Sequence, residues 1–227
     1  MKLLNRPLII NFKNYGEASS AEKTLELARA AQEVARKLEV EVVLAPPQPS
    51  LALVCKNVDI PVISQHVDDA QEGSTTGFFV PEIAKSYGAS GSLINHSEHR
   101  IEIGVIASLA KKLRALKMTS IVCARTPDEV TRISEMEPDF IAIEPPELIG
   151  SGRAVSKENP AIITDSIKAA GGKSKVICGA GITDRDDVAK AVELGSYGIL
   201  VASGIIKAKS WPDKIAELAQ GMKKISS

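Results

Sequence analysis

The chain has 227 residues, and Lys and Arg balance Asp and Glu at 28 each. No block of like charge stands out, which argues against a nucleic-acid or anionic-membrane partner and leaves a small molecule. The length suits one large core, so a single domain over residues 1–227 is expected.

In chain order, the N-terminal MKLLNRPLIINFKNY is broken by Asn5, Arg6 and Pro7 and falls short of a signal-peptide core or a membrane span. Short apolar runs rich in Val and Ile then recur: PLIINF, VEVVLA, IPVISQ, GSLIN, SIVCA, FIAIE, KVICGA and GILVAS. Between them lie segments with helical spacing, among them AEKTLELARAAQEVARKL, IEIGVIASLAKKLRALK, TPDEVTRISEM, ENPAIITDSIKAAG, DRDDVAKAVELG and WPDKIAELAQGMKKI. SLALVCK is a shorter helix of the same kind. Eight units at about 28 residues each predict an α/β fold, an eight-stranded parallel (β/α)8 barrel in a compact version with some shortened helices. An open doubly wound sheet uses the same alternation, but it usually carries a GxGxxG turn after its first strand. NFKNYGEASS has no such turn, and the comparable grouping, Gly179-Ala-Gly181, follows the seventh run. Cys55, Cys123 and Cys178 are odd in number and lack a CxxC grouping, so they read as free thiols in a reducing, cytoplasmic compartment.

In a parallel barrel the polar residues just after each strand form the site. Asn11 and Lys13 alternate with Phe12 and therefore share one side. The third run is followed by His66, Asp68 and Asp69, the fourth by Asn95, His96, Ser97 and Glu98, and the sixth by Glu144. Gly179 to Gly181 and Ala202-Ser203-Gly204 follow the last two. Each has a plain reading. A lysine after a strand is usually solvated, a lone histidine is usually half-buried and satisfied, and Gly-Ala-Gly makes a tight turn. Three potential ligands on one loop, His66, Asp68 and Asp69, read as a solvated loop, so no metal is expected. None of this explains why a carboxylate, an imidazole and an ammonium all occupy strand ends. In IAIEPPELIGSG, Glu144 sits where an apolar strand leaves the core, with Pro145 and Pro146 stiffening one side and Gly150 and Gly152 freeing the other.

N-F-K at 11–13, N-H-S-E-H-R at 95–100, E-P-P-E-L-I-G-S-G at 144–152, C-G-A-G-I at 178–182 and V-A-S-G at 201–204 together resemble the motifs of the triosephosphate isomerases. The match runs in order over nearly the whole chain, and the short length and loop wording are similar to the archaeal branch. The tryptophan, serine and double glycine more frequent in bacterial and eukaryotic loops six, seven and eight are replaced here. The resemblance implies a TIM barrel that interconverts dihydroxyacetone phosphate and glyceraldehyde 3-phosphate through an enediolate, with no cofactor. It implies Glu144 as base, His96 as a neutral electrophile ahead of a helical turn over 97–100, and Lys13 as a fixed positive charge paired with Glu98. Asn11 would donate to substrate oxygen, and backbone amides of Ile149, Gly150, Gly181, Ala202 and Ser203 would hold the phosphate beneath a lid over 145–152. The 68–77 loop, with Thr76 near its tip, would reach a neighbouring subunit, implying a homodimer; archaeal relatives also form tetramers. Three alternatives stay open: a Schiff-base aldolase built on Lys13, a phosphosugar isomerase or cyclase of the tryptophan pathway, and a silent sugar-phosphate binder.

Overall fold

The structure, a computed structural model, describes residues 4–145 and 155–222. In chain order the elements are β1 (Leu8–Asn11), α1 (Ala21–Leu38), β2 (Val42–Ala45), α2 (Leu51–Asn57), α3 (Pro81–Ser86), β3 (Gly91–Ile94), α4 (Ile103–Ala115), β4 (Thr119–Ala124), α5 (Pro127–Ser134) and β5 (Phe140–Ile143). They continue with α6 (Val155–Glu158), α7 (Pro160–Ala170), β6 (Lys175–Cys178), α8 (Arg185–Glu193), β7 (Ile199–Val201), α9 (Ser203–Ile206) and α10 (Trp211–Met222). Among the described residues no helix is long and apolar enough to cross a membrane.

All strand pairs are parallel, in the order β2-β1-β7-β6-β5-β4-β3. The described sheet thus has seven strands where the sequence predicts eight. The missing one is IPVISQ, which contributes only two isolated bridges, Leu44 to Val62 and Ser64 to Ser92. The cause is local. Pro61 has no N–H to give, and the next residues divide their bonds between two neighbours: Ile63 donates to the Leu44 carbonyl (2.8 Å) and Ser64 to the Gly91 carbonyl (3.0 Å). Alternation between two neighbours is the normal pattern of an interior parallel strand; here each side carries a single bridge, and Pro61 cannot donate to extend the ladder, although the segment is hydrogen-bonded to both outer strands.

Burial on both faces explains the near-continuous apolar runs. Leu8, Ile10, Val42, Leu44, Ile94, Val122, Ile141 and Ile143 pack against the helices, whereas Ile9, Val43, Leu93, Ile121, Phe140, Ala142, Ile177 and Leu200 form a second cluster on the opposite face, joined by Ile63. The period of two then places the strand ends: Asn11 and Lys13 continue the parity of Ile9, Asn95 that of Leu93, Glu144 that of Ala142, and Gly179 that of Ile177. The polar side chains beyond these strands are thereby aimed over the inner cluster.

Among the described residues, three helices start where the sequence supplies a side-chain cap. The Ser20 hydroxyl accepts from the Lys23 amide (3.2 Å), the Thr126 hydroxyl from the Glu129 amide (3.2 Å), and Asp184 with Asp187 forms a capping box on α8. One expectation needs correction. Residues 97–100 are not a turn of helix: His99 N–H closes a single turn on the His96 carbonyl (2.8 Å), and α4 begins only at Ile103.

Candidate active site

One pocket at the strand ends is lined by Asn11, Lys13, Tyr15, His96, Glu144, residues 179–183 and residues 200–204. The structure therefore brings together Asn11, Lys13, His96, Glu144, Gly181, Ala202 and Ser203. A second cavity opens beside it and shares Asn11, Lys13, Tyr15 and His96, adding Gln48, Gln65, His66, Asp68, Glu98 and His99. Thr76, exposed on the 68–79 loop, lines neither. Ile149, Gly150 and the expected lid beyond Pro145 lie outside the described residues.

Glu144 is 3% exposed, and its backbone is clamped on both sides of the sheet: its N–H donates to the Ala124 carbonyl (2.8 Å), and Gly179 N–H donates to the Ile143 carbonyl (3.0 Å). One carboxylate oxygen, Oε1, lies 3.4 Å from His96 Nε2; the other, Oε2, is buried without a hydrogen-bond partner among the described residues. A buried acceptor left unsatisfied is costly, and here it belongs to a side chain that lines the pocket. Gly179 makes room for it. A Cβ there would sit 2.7 Å from Glu144 Cγ and 3.3 Å from Oε1, so any side chain would displace the carboxylate.

The tautomer of His96 follows from its partners. Glu98 N–H donates to His96 Nδ1 (3.2 Å), so that nitrogen carries no proton, and the hydrogen of the neutral ring is on Nε2, facing Glu144 and the pocket. The turn at 97–100 thus acts through one specific amide, not through a helix terminus. The Glu98 carboxylate stays 3.8 Å from Nδ1 and instead receives Lys13 Nζ at 2.7 Å.

Lys13 has φ of +48°, an unusual conformation for a non-glycine residue. Its N–H donates to Asn11 Oδ1 (2.9 Å), and Gln65 Nε2 donates to both the Lys13 and the Ala45 carbonyls (3.0 Å each). Strain of this kind persists only where neighbours over-determine it. Asn95, with φ of +60°, is fixed in the same way, donating to the Cys123 carbonyl (2.9 Å) and accepting from Ile101 N–H (3.1 Å). Gln65 was not singled out in the sequence; its position, one residue past the IPVIS run, was the available signal.

His66 is not on a solvated loop. It is buried, stacks on His99 with centroids 4.0 Å apart, and approaches Asp68 Oδ1 at 3.3 Å; burial, and then the neighbouring His99, push its pKa down. Asp69 turns away to accept from Ser108 (2.9 Å). Among the described residues no group of His, Cys, Asp or Glu could hold a metal ion. The three cysteines are unpaired. Burial pushes the Cys55 thiol up to about 11 and Cys178 to about 12, and burial with the Glu144 carboxylate beside it pushes Cys123 well up, so none supplies a thiolate.

Comparison with known proteins agrees with this geometry. The family model described as triosephosphate isomerase matches residues 7–220. The chain is 52% identical over 217 residues to the triosephosphate isomerase of Cenarchaeum symbiosum, covering 95% of this chain and 97% of that one. It is 43% identical over 223 residues to that of Methanothermus fervidus, covering 96% and 100%, and 44% identical over 216 residues to that of Caldivirga maquilingensis, covering 94% and 96%. With both the family model and these relatives matching along nearly its whole length, the chain belongs to the triosephosphate isomerase family.

Proposed function

We propose that the chain is a triosephosphate isomerase that interconverts dihydroxyacetone phosphate and glyceraldehyde 3-phosphate. The observation that carries this reading is the buried Glu144 carboxylate, which lines the pocket with Oε1 3.4 Å from His96 Nε2. Glu144 takes the proton from the carbon beside the carbonyl. The electrons of that C–H bond form the carbon–carbon double bond of the enediolate, and those of the carbonyl π bond move onto oxygen. His96 Nε2–H donates to that oxygen as its charge grows, and the Lys13 ammonium lies where the same charge is felt. Return of the proton to the adjacent carbon completes the isomerisation, so no oxidant or cofactor is consumed. Asn11 donates to substrate oxygen, and the backbone amides of Gly181, Ala202 and Ser203 take the phosphate, with Gly181 at φ +72° letting the chain approach closely.

A Schiff-base aldolase would need a free amine at Lys13, whereas this ammonium is ion-paired with Glu98 at 2.7 Å. The proposal extends to a single (β/α)8 domain in which the 62–64 segment takes the eighth strand position. It also includes a homodimer in which the 68–77 arm with Thr76 reaches the partner. A cytoplasmic location is supported by the three unpaired thiols. The deciding experiment couples glyceraldehyde 3-phosphate conversion to a dihydroxyacetone phosphate reductase and weighs the same sample by light scattering. Turnover at a mass of at least two chains is expected; absence of turnover would overturn the isomerase reading, and a monomer the dimer.

Gly179→Ala tests the base independently of its own side chain. The new Cβ meets Glu144 Cγ at 2.7 Å, a contact relieved only by displacing Glu144 relative to the 179 backbone. We expect kcat to fall by about 10²-fold, the scale of an ångström-sized misplacement, with a smaller change in KM. Unchanged kcat in a folded variant would show that carboxylate placement is not limiting.

A further inference from the structure

The 179–182 loop, read above as part of the phosphate site, is held in part by charged groups, Asp187, Lys157 and Lys214, that do not themselves line the pocket. Its end is fixed at two consecutive residues. The Ile182 carbonyl oxygen packs on Gly204 so closely that a Cβ there would lie 2.5 Å from it. The next residue, Thr183, gives both its N–H and its hydroxyl to Asp187 Oδ2, each at 2.8 Å, while its carbonyl accepts from Lys214 Nζ (3.1 Å).

Asp187 exceeds the needs of a helix cap. The capping box requires only that its carboxylate accept the Asp184 N–H, which it does at 3.1 Å. Oδ2 serves Thr183 as well, and Oδ1 receives Lys157 Nζ from α6 at 2.6 Å. A second link joins the same elements: Ser156 Oγ donates to the Asp187 carbonyl (3.1 Å). Asp187 is 2% exposed, and Lys157 is the cation paired with it among the described residues. Burial by itself pushes the Asp187 carboxyl up, but the bonds from Lys157, Thr183 and Asp184 outweigh it and hold the group below its usual range. Without Lys157 a buried charge would keep only neutral donors, and it would either take a proton or turn toward water. In both cases Thr183 loses part of its acceptor.

We infer that the Lys157–Asp187 ion pair is a positioning device for the 179–183 loop: it sets affinity for the phosphate group without touching substrate. This rests on the reading of that loop as phosphate-binding. A role confined to capping α8 would affect stability and leave phosphate affinity alone.

The test is Lys157→Met, which keeps the aliphatic stem, beside Lys157→Arg, which keeps the charge, and Asp187→Asn. Lys157 is half-exposed, so its loss leaves α6 solvated and the fold intact, which a thermal melt checks. For Lys157→Met we expect KM for glyceraldehyde 3-phosphate and the inhibition constant of inorganic phosphate to rise together, by about three- to tenfold, the scale of one charge-assisted hydrogen bond, with kcat within about twofold of the parent. Lys157→Arg restores both constants, and Asp187→Asn moves both in the same direction as Lys157→Met. Unchanged constants in Lys157→Met, or no recovery in Lys157→Arg, would overturn the inference. A parent protein without turnover would overturn the isomerase reading instead; calorimetric binding of inorganic phosphate to the same variants then still decides the role of the pair.

Discussion

Glu144→Asp is expected to lower kcat by about 10²–10³-fold while KM changes by less than about threefold. The substitution keeps the charge and removes one methylene, so it tests geometry in isolation. Two backbone bonds hold residue 144 in register, its own N–H to the Ala124 carbonyl and the neighbouring Gly179 N–H to the Ile143 carbonyl. The main chain therefore cannot advance to make up the lost length. Gly179, whose missing Cβ admits Glu144 Cγ, leaves the shortened side chain a small gap but does not push it toward the pocket. The aspartate oxygens retreat from His96 Nε2, and proton abstraction proceeds from a longer distance. Because the proposed phosphate contacts at Gly181, Ala202 and Ser203 lie on other loops, ground-state binding should be largely kept. Steady-state kinetics with both triose phosphates checks the split. Glu144→Gln, which keeps length and abolishes basicity, should fall at least as far. Near-normal kcat in the aspartate variant would remove Glu144 from the role of base.

How much of this was legible beforehand depends on whether the information was local. The strand ends are: apolar runs of period two put Asn11, Lys13 and Glu144 on one face, whereas His96 has the opposite parity to Leu93 and lines the pocket just past the Asn95 turn at φ +60°. What supports them is not. That Glu98 splits its work, an amide on His96 and a carboxylate on Lys13, depends on the shape of one tight turn that the sequence rendered as helix. Gly179 looked like a turn residue, and only the packing shows that its missing side chain is space for Glu144. Gln65 carries no chemistry of its own; its amide matters because two carbonyls, one on a strained lysine, happen to converge on it. The third apolar run has the composition of a strand yet forms only isolated bridges, with Pro61 removing a donor from a short segment. The solvated loop expected at His66 gives way to a buried ring because stacking on His99 joins residues far apart in the chain.

Lys13→Met should cost about 10³-fold in kcat/KM, most of it in kcat, since a fixed charge beside a developing oxyanion acts more strongly in the transition state than in the ground state. The structure makes this a clean deletion. Lys13 is 13% exposed at the side chain, whereas its partner Glu98 is 57% exposed, so the carboxylate left behind is hydrated and is not stranded in the interior. The strained backbone at φ +48° is held by Asn11 Oδ1 and by Gln65, neither of which bonds to the lysine side chain. An unbranched methionine therefore keeps the main-chain geometry, and the melting temperature should stay within a few degrees of the parent. Glu98→Gln offers the contrast. It weakens the anchor of Lys13 but leaves the ammonium and the backbone amide that fixes the His96 tautomer, so its loss should be nearer tenfold. If Lys13→Met raised KM and left kcat intact, the lysine would be a phosphate contact alone, and stabilisation of the enediolate would have to rest on His96 and Asn11. If both variants lost equally, the ion pair would act as one unit.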